Sequence, residues 1–169
     1  MKKLAIVALA LALPVAATAE VHHFAVDPVH SQVGFKARHL VATTPGRFDD
    51  FTGSIWLDPD NIAGTFKLEA TVQAASVDTN NEKRDGHLQS ADFFDVANHP
   101  ELTFVSKSVE FKDGLYYVVG DLTMRGVTKE VALEAEYNGI TTHPFTGTPT
   151  IGMEFEGNVN RKDFGMEWN

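Results

Sequence analysis

The chain has 169 residues, no cysteine and a formal charge of −9. The missing cysteine excludes thiol catalysis and thiolate metal sites, and the acidic balance opposes nucleic acid and anionic membrane surfaces. One domain of this size buries a core without disulfide staples.

Residues 1–19 read as a leader: Lys2 and Lys3, an apolar run from Leu4 to Val15, then Ala17-Thr18-Ala19 before Glu20. A basic start, a short apolar stretch and a small-x-small site make a secretory signal. The run is too short to cross roughly 30 Å of hydrocarbon as a helix. We expect cleavage after Ala19, export to a Gram-negative-type periplasm, and a single domain over residues 20–169. Without Lys2 and Lys3 its formal charge is near −11.

Six stretches then place apolar or small residues at every second position, the signature of strands with one buried face. Ser31, Val33, Phe35, Ala37 and His39 point one way while Gln32, Lys36 and Arg38 point the other. The pattern recurs at Phe51/Gly53/Ile55/Leu57 and at Phe66/Leu68/Ala70/Val72/Ala74. After residue 78 it lapses: Asp78 to Pro100 suits a short helix, with Ser90 capping a second turn ahead of Phe93 and Phe94. Those two phenylalanines anchor the segment over one end of the sheet or line the mouth of a cavity. Alternation resumes at Val118/Gly120/Leu122/Met124, Val131/Leu133/Ala135/Tyr137 and Ile151/Met153/Phe155/Gly157/Val159. Thr44-Pro45-Gly46, Asp113-Gly114 and Asn138-Gly139 supply turn signals, so an antiparallel meander is expected.

Such strands cover their apolar faces by pairing sheets or closing a barrel. The charged outer set (Lys67, Glu69, Glu130, Glu134, Glu136, Glu154, Glu156) is the reverse of a membrane barrel, whose lipid face is apolar. A soluble barrel without stable membrane insertion fits better.

Seven histidines invite a search for metal or acid–base chemistry. No HExxH spacing occurs, and His22-His23 point to opposite faces of a strand. His30-Ser31 adjacency makes no triad, no GxSxG is present, and Asp49-Asp50 reads as solvated surface. We therefore expect no catalytic residue, no metal and no enzyme. What remains is the inward face, where Phe35, Phe51, Ile55, Leu68, Val72, Phe104, Leu122, Met124, Leu133, Met153 and Phe155 converge beside small residues. Interlocked packing and a lumen wide enough for a slender guest both fit that mixture, since an eight-stranded barrel sits at the threshold between them.

Five strings shift the balance: VDPVHSQVGFKARHL (26–40), GRFDDFTGSIWLD (46–58), SVDTNNEKRDGHLQSADFFDVANHPELTFVS (76–106), GDLTMRGVTKEV (120–131) and NRKDFGMEWN (160–169). They resemble the YceI-like family of exported bacterial proteins that bind lipid or polyisoprenoid. The resemblance implies an all-β, lipocalin-like antiparallel barrel of about eight strands with a short helical segment across one end. It also implies carriage, storage or sequestration of a polyisoprenoid, quinone-like lipid or polyprenyl phosphate. The alternative is a stress or interaction protein whose barrel its own side chains fill. The ligand-facing set is then Val33, Phe35, Ala37, His39, Phe51, Ile55, Leu68, Val72, Phe93, Phe94, Phe104, Leu122, Met124, Leu133, Met153 and Phe155, with His39 as the polar candidate for a head group. At about 0.8 kcal/mol per buried carbon, a tail of several isoprene units grosses more than the non-covalent ceiling of roughly 18–21 kcal/mol. Ordering and lumen desolvation offset much of it. Members of the family the chain resembles run some twenty residues past the NRxDFG string, so either the sequence is truncated or the barrel closes with a strand fewer. We expect lower stability or a homodimer across the open edge.

Overall fold

The computed structural model describes residues 20–168, apart from the side chain of His39. The expected leader lies outside those residues. Ten strands form: β1 (His22–Ala25), β2 (Val33–His39), β3 (Ala42–Phe48), β4 (Phe51–Leu57), β5 (Lys67–Gln73), β6 (Val77–Asp78), β7 (Glu101–Lys112), β8 (Leu115–Met124), β9 (Val127–Thr142) and β10 (Pro149–Glu156). Two helices join them, α1 (Ile62–Thr65) and α2 (Glu82–Gln89).

Seven strands make a nearly closed antiparallel sheet in the order β1-β4-β5-β7-β8-β9-β10. A smaller sheet has the order β2-β3-β6. The expected all-β barrel is thus present, with the strands divided between two sheets. β1 and β10 are the edges of the larger one.

Period-two patterning places the interior where the sequence put it. Phe24, Ile55, Leu57, Leu68, Phe104, Val118 and Ala135 are buried in one cluster with Ile62 of α1. A second cluster lies at the end where β5 finishes and β7 begins, and holds Phe48, Val72, Ala74, Val77, Phe94, Met124, Phe164 and Met166. α2 closes the chain over this end. Asn81 caps it by accepting from the Arg84 amide at 3.1 Å, and Glu82 and Asp85 complement its N-terminal dipole. Asp85 accepts the Thr79 amide at 2.9 Å, and Arg84 Nε donates to Thr79 Oγ1 at 2.7 Å.

Ser90 ends α2 and, as expected, caps the turn that follows: its hydroxyl oxygen accepts the Asp92 amide at 3.4 Å, ahead of Phe93 and Phe94. Three expectations need correction. Thr44-Pro45-Gly46 lies inside β3, opposite Ala37, Lys36 and Phe35. Pro45 is tolerated because β6 pairs only with Arg47 and Phe48, leaving the rest of that edge free. Asn138-Gly139 is a bulge within β9 and not a hairpin: Gly139 (φ +107°) pairs with Gly152, Tyr137 pairs with Met153, and Asn138 is left over. The hairpin falls instead at residues 143–148, where His143 Nδ1 accepts the Phe145 and Thr146 amides. Finally, β10 stops at Glu156, so Gly157 and Val159 are exposed beyond the strand.

Candidate functional site

The two apolar clusters are stacked along the barrel and joined by Leu122, which packs against both. Ile55, Leu68 and Phe104 are buried in the first, and Leu133, Met153 and Phe155 lie part-buried against it. Val72, Phe94 and Met124 are buried in the second, with Val33, Phe35, Phe51 and Phe93 packed on it. Ring contacts run through both: Phe35–Phe48 at 5.6 Å, Phe48–Phe94 at 5.5 Å and Phe66–Phe155 at 6.2 Å between centroids. Ala37 is exposed on β2 and joins neither cluster.

The lining is unevenly buried, with part-exposed residues such as Phe51, Leu102 and Leu122 on several strands. On β4, β5, β7 and β8, Ile55, Leu68, Phe104 and Val118 are buried. On β9 and β10, the inward Leu133, Tyr137, Ile151, Met153 and Phe155 keep part of their surface open. A core packed to interior density covers all its lining. Here a strip of large apolar side chains on β9 and β10, one wall of the barrel, is only part-buried.

That wall also parts. β10 pairs with β9 only from Glu134 to Thr142, so the start of β9 has no β10 neighbour. A cleft of about 590 Å³ opens there, bounded by Lys129, Val131, Glu134, Glu156, Val159 and Phe164 among others. A second recess of about 360 Å³ lies over β4, β5 and β7 beside Gly53, Ala70 and Phe104.

The far end is held by residues 161–164, a 3-10 turn whose Phe164 is buried with Met166. Arg125 Nη1 donates to the Phe93 carbonyl at 3.2 Å and to the Gly165 carbonyl at 2.9 Å. One guanidinium thus joins the segment after α2 to the C-terminal turn. Nearby, His87 meets both Phe93 and Trp168 edge-on, with His87–Trp168 centroids 4.6 Å apart.

Most perturbed titrations sit in surface ion pairs. The Asp27 carboxyl is lowered by its bond to His30 and by the Val29 amide. The Arg47 guanidinium is raised by Asp49 and Asp78, and the Lys107 ammonium by Asp121 and Glu130. The exception faces inward: burial, aided by the nearby Tyr116 phenol, raises the Tyr137 phenol above its usual value. Among the described residues no group of three or more His, Asp or Glu is disposed to hold a metal ion. The histidines have local tasks, as where His23 stacks on Trp56 at 4.9 Å and bonds Ser54.

Tyr116, Tyr137, Phe66, Phe164 and Met166 join the lining without being among the expected site residues. Tyr137 already stood in the alternating pattern of its strand. Stepping the β8 pattern back by two from Val118 reaches Tyr116. Phe164 and Met166 follow no period and carry no such signal.

A family model for the YceI-like domain matches residues 24–169. The chain belongs to the YceI-like family. UPF0312 proteins of Staphylococcus aureus are 37% identical to it over 148 residues, covering 87% of this chain and 84% of theirs. Those of Staphylococcus epidermidis are 38% identical over 148 residues, covering 86% and 83%. The Campylobacter jejuni YceI protein superposes with a TM-score of 0.66 at 36% identity, covering 83% of this chain and 82% of that one. Burkholderia cenocepacia BcnA gives a TM-score of 0.73 at 24% identity, covering 85% and 86%, which is a likeness of fold. This YceI-like chain thus has the barrel architecture that its alternating strands and motif strings imply.

Proposed function

We propose that this YceI-like protein binds one long apolar lipid, an isoprenoid chain, along the inward faces of β9 and β10, and acts as a carrier or reservoir instead of an enzyme. The observation that carries the reading is the part-buried apolar strip of Leu133, Ile151, Met153 and Phe155. Covering it removes apolar surface from water at about 25 cal/mol per Å². Met153, and Met124 in the second cluster, suit an irregular, unsaturated tail. Export to the periplasm belongs to the same proposal and rests on the basic, apolar and small-x-small pattern of residues 1–19.

The test is uptake of a long-chain prenyl alcohol by lipid-free protein, measured by gel filtration and mass spectrometry, for the natural chain and for Met153→Glu. Stoichiometric uptake that the variant loses while its melting temperature holds supports the reading. A variant that unfolds, with no uptake by the natural chain, identifies the strip as core and removes the proposal. A second copy adding to the sheet would use β1 or β10, its two edges. Sedimentation velocity decides that point, a dimer supporting it and a monomer refuting it.

A further inference from the structure

The β2–β3 hairpin carries an apolar tip on a basic stem. Val33 and Phe35 at its root pack on the second apolar cluster, and β6 pairs only with Arg47 and Phe48. The outer part, residues 36–45, is therefore a ribbon of two strands with no third, an arrangement only marginally stable in water. At about 3.3 Å per residue its tip lies about 16 Å beyond Phe35. That tip is Leu40 and Val41, 77% and 97% exposed. Leu40 is held at φ +54°, a left-handed turn position where glycine or asparagine is the ordinary choice. Packing within the chain gives no reason for two large aliphatic side chains there.

Charge is sorted around this tip. Residues 28–48 contain Lys36, Arg38 and Arg47 and no aspartate or glutamate, in a chain of formal charge −9. The register sets Arg47 opposite Gly34, Lys36 opposite Pro45 and Arg38 opposite Thr43, so all three cations share one face. Arg47 is engaged by Asp49 and Asp78. Lys36 and Arg38 are exposed and, among the described residues, enter no ion pair. The β9–β10 hairpin is the contrast: its Phe145 is 93% exposed, yet no Lys or Arg occurs from residue 130 to residue 160.

An apolar tip with cations set back from it matches the surface of an anionic bilayer. The headgroup layer on each side of a bilayer is about 5–8 Å deep. Arg38 sits two residues behind Leu40, about 7 Å, and so at phosphate depth when the tip meets the hydrocarbon. Lys36, two residues further back, reaches forward on its long stem. Net negative charge opposes such a surface, but at physiological salt charges more than about 8 Å apart are largely screened. Asp49, the next acid along the chain, is about 26 Å of strand from Val41.

We propose that the β2–β3 hairpin docks the protein reversibly on anionic phospholipid bilayers, Leu40 and Val41 entering the acyl boundary while Lys36 and Arg38 bind lipid phosphates. The site lies outside the lumen and does not depend on what the lumen holds. Two aliphatic side chains and two cations give a weak, salt-sensitive attachment without insertion of the barrel.

Vesicle co-sedimentation tests it, with phosphatidylglycerol–phosphatidylcholine vesicles against phosphatidylcholine alone, at low and high salt. The protein begins at Glu20, because residues 1–19 are themselves basic and apolar. The expected result is binding to the anionic vesicles at low salt, falling at high salt, with little on phosphatidylcholine. Lys36→Gln/Arg38→Gln should weaken binding about tenfold or more. So should Leu40→Asn/Val41→Ser, whose asparagine suits the left-handed turn and keeps the hairpin. Both double variants change exposed positions, so their melting temperatures should match that of the natural chain. Since the chain has no cysteine, Val41→Cys carries a single polarity-sensitive dye. Its emission should shift to the blue on anionic vesicles, while the same dye on Phe145→Cys should not respond. No vesicle binding by the natural chain, undiminished binding by either double variant, or a response at residue 145 in place of 41 overturns the proposal. Binding indifferent to lipid charge and to salt overturns it too. None of these outcomes bears on the lumen reading, whose own test uses no vesicles.

Discussion

Glu136 of β9 and Glu154 of β10 stand directly opposite each other on the outer wall of the barrel, and Glu134 and Glu156 repeat the arrangement two residues along. Like charges in register repel and destabilise a strand pair. Asn138 Nδ2, donating to Glu154 Oε1 at 3.3 Å, relieves one of the four. Glu136→Lys should therefore raise stability by about 0.2–1 kcal/mol, and added salt should raise the melting temperature of the natural chain more than that of the variant. Urea midpoints at low and high salt check both. A destabilised variant would mean the carboxylates are held by attraction. Charge along β10 also guards an edge strand against unwanted pairing.

Gly120 of β8 is the space that Phe104 of β7 needs. A Cβ there would meet the Phe104 ring and lie 2.5 Å from the Val105 carbonyl oxygen, which is backbone and cannot turn aside. Gly120→Ala should cost about 1–3 kcal/mol as overpacking, read from the thermal or urea midpoint. An unchanged midpoint would show that β7 and β8 separate freely.

Arg125 is the tie across the capped end. Removing it leaves the Phe93 and Gly165 carbonyls without their donor. Arg125→Ala should cost about 1.5–3 kcal/mol, typical of hydrogen bonds to charged groups. Amide exchange should accelerate in residues 91–99 and 160–166, with β4 and β5 unaffected. Uniform acceleration would show that this end opens only with the whole barrel.

Tyr137 gives a pH dependence with a definite sign. Its folded-state pKa lies above the unfolded value, because burial opposes the phenolate. Below about pH 10 both states hold the proton and the group is neutral to stability. Above it the unfolded chain releases a proton that the folded chain keeps, so stability falls as pH rises from there. Tyr137→Phe should flatten that alkaline fall and remove the latest phenolate absorbance in a spectrophotometric titration. A parallel fall in both proteins would place the alkaline loss elsewhere.

Much of this was legible in residue order. Strict alternation located β4, β5, β8 and the core of β9, because a one-residue slip would turn Ile55, Leu68 or Leu133 to solvent. Three features escaped it. The β3 strand hides behind Pro45-Gly46, residues that elsewhere mark a turn. The β9 bulge at Asn138 looks locally identical to a hairpin, and only the β10 partner distinguishes the two. Phe164 and Met166 owe their burial to a single 3-10 turn, which has no periodicity to read. The lining was foreseen along the strands, Tyr137 within its alternating set, while Tyr116 lies one step of two beyond the pattern read for β8. Side chains at barrel rims are placed by strand length and register, quantities that alternation leaves open.

The account stands on a lumen that takes a guest. Protein purified without detergent from its native host, extracted with organic solvent and analysed by mass spectrometry, tests that most directly. A prenyl-tailed lipid recovered at about one per chain is the predicted result. An extract empty of lipid, from protein that also refuses prenyl lipids offered in titration, would contradict it and make the barrel a filled one.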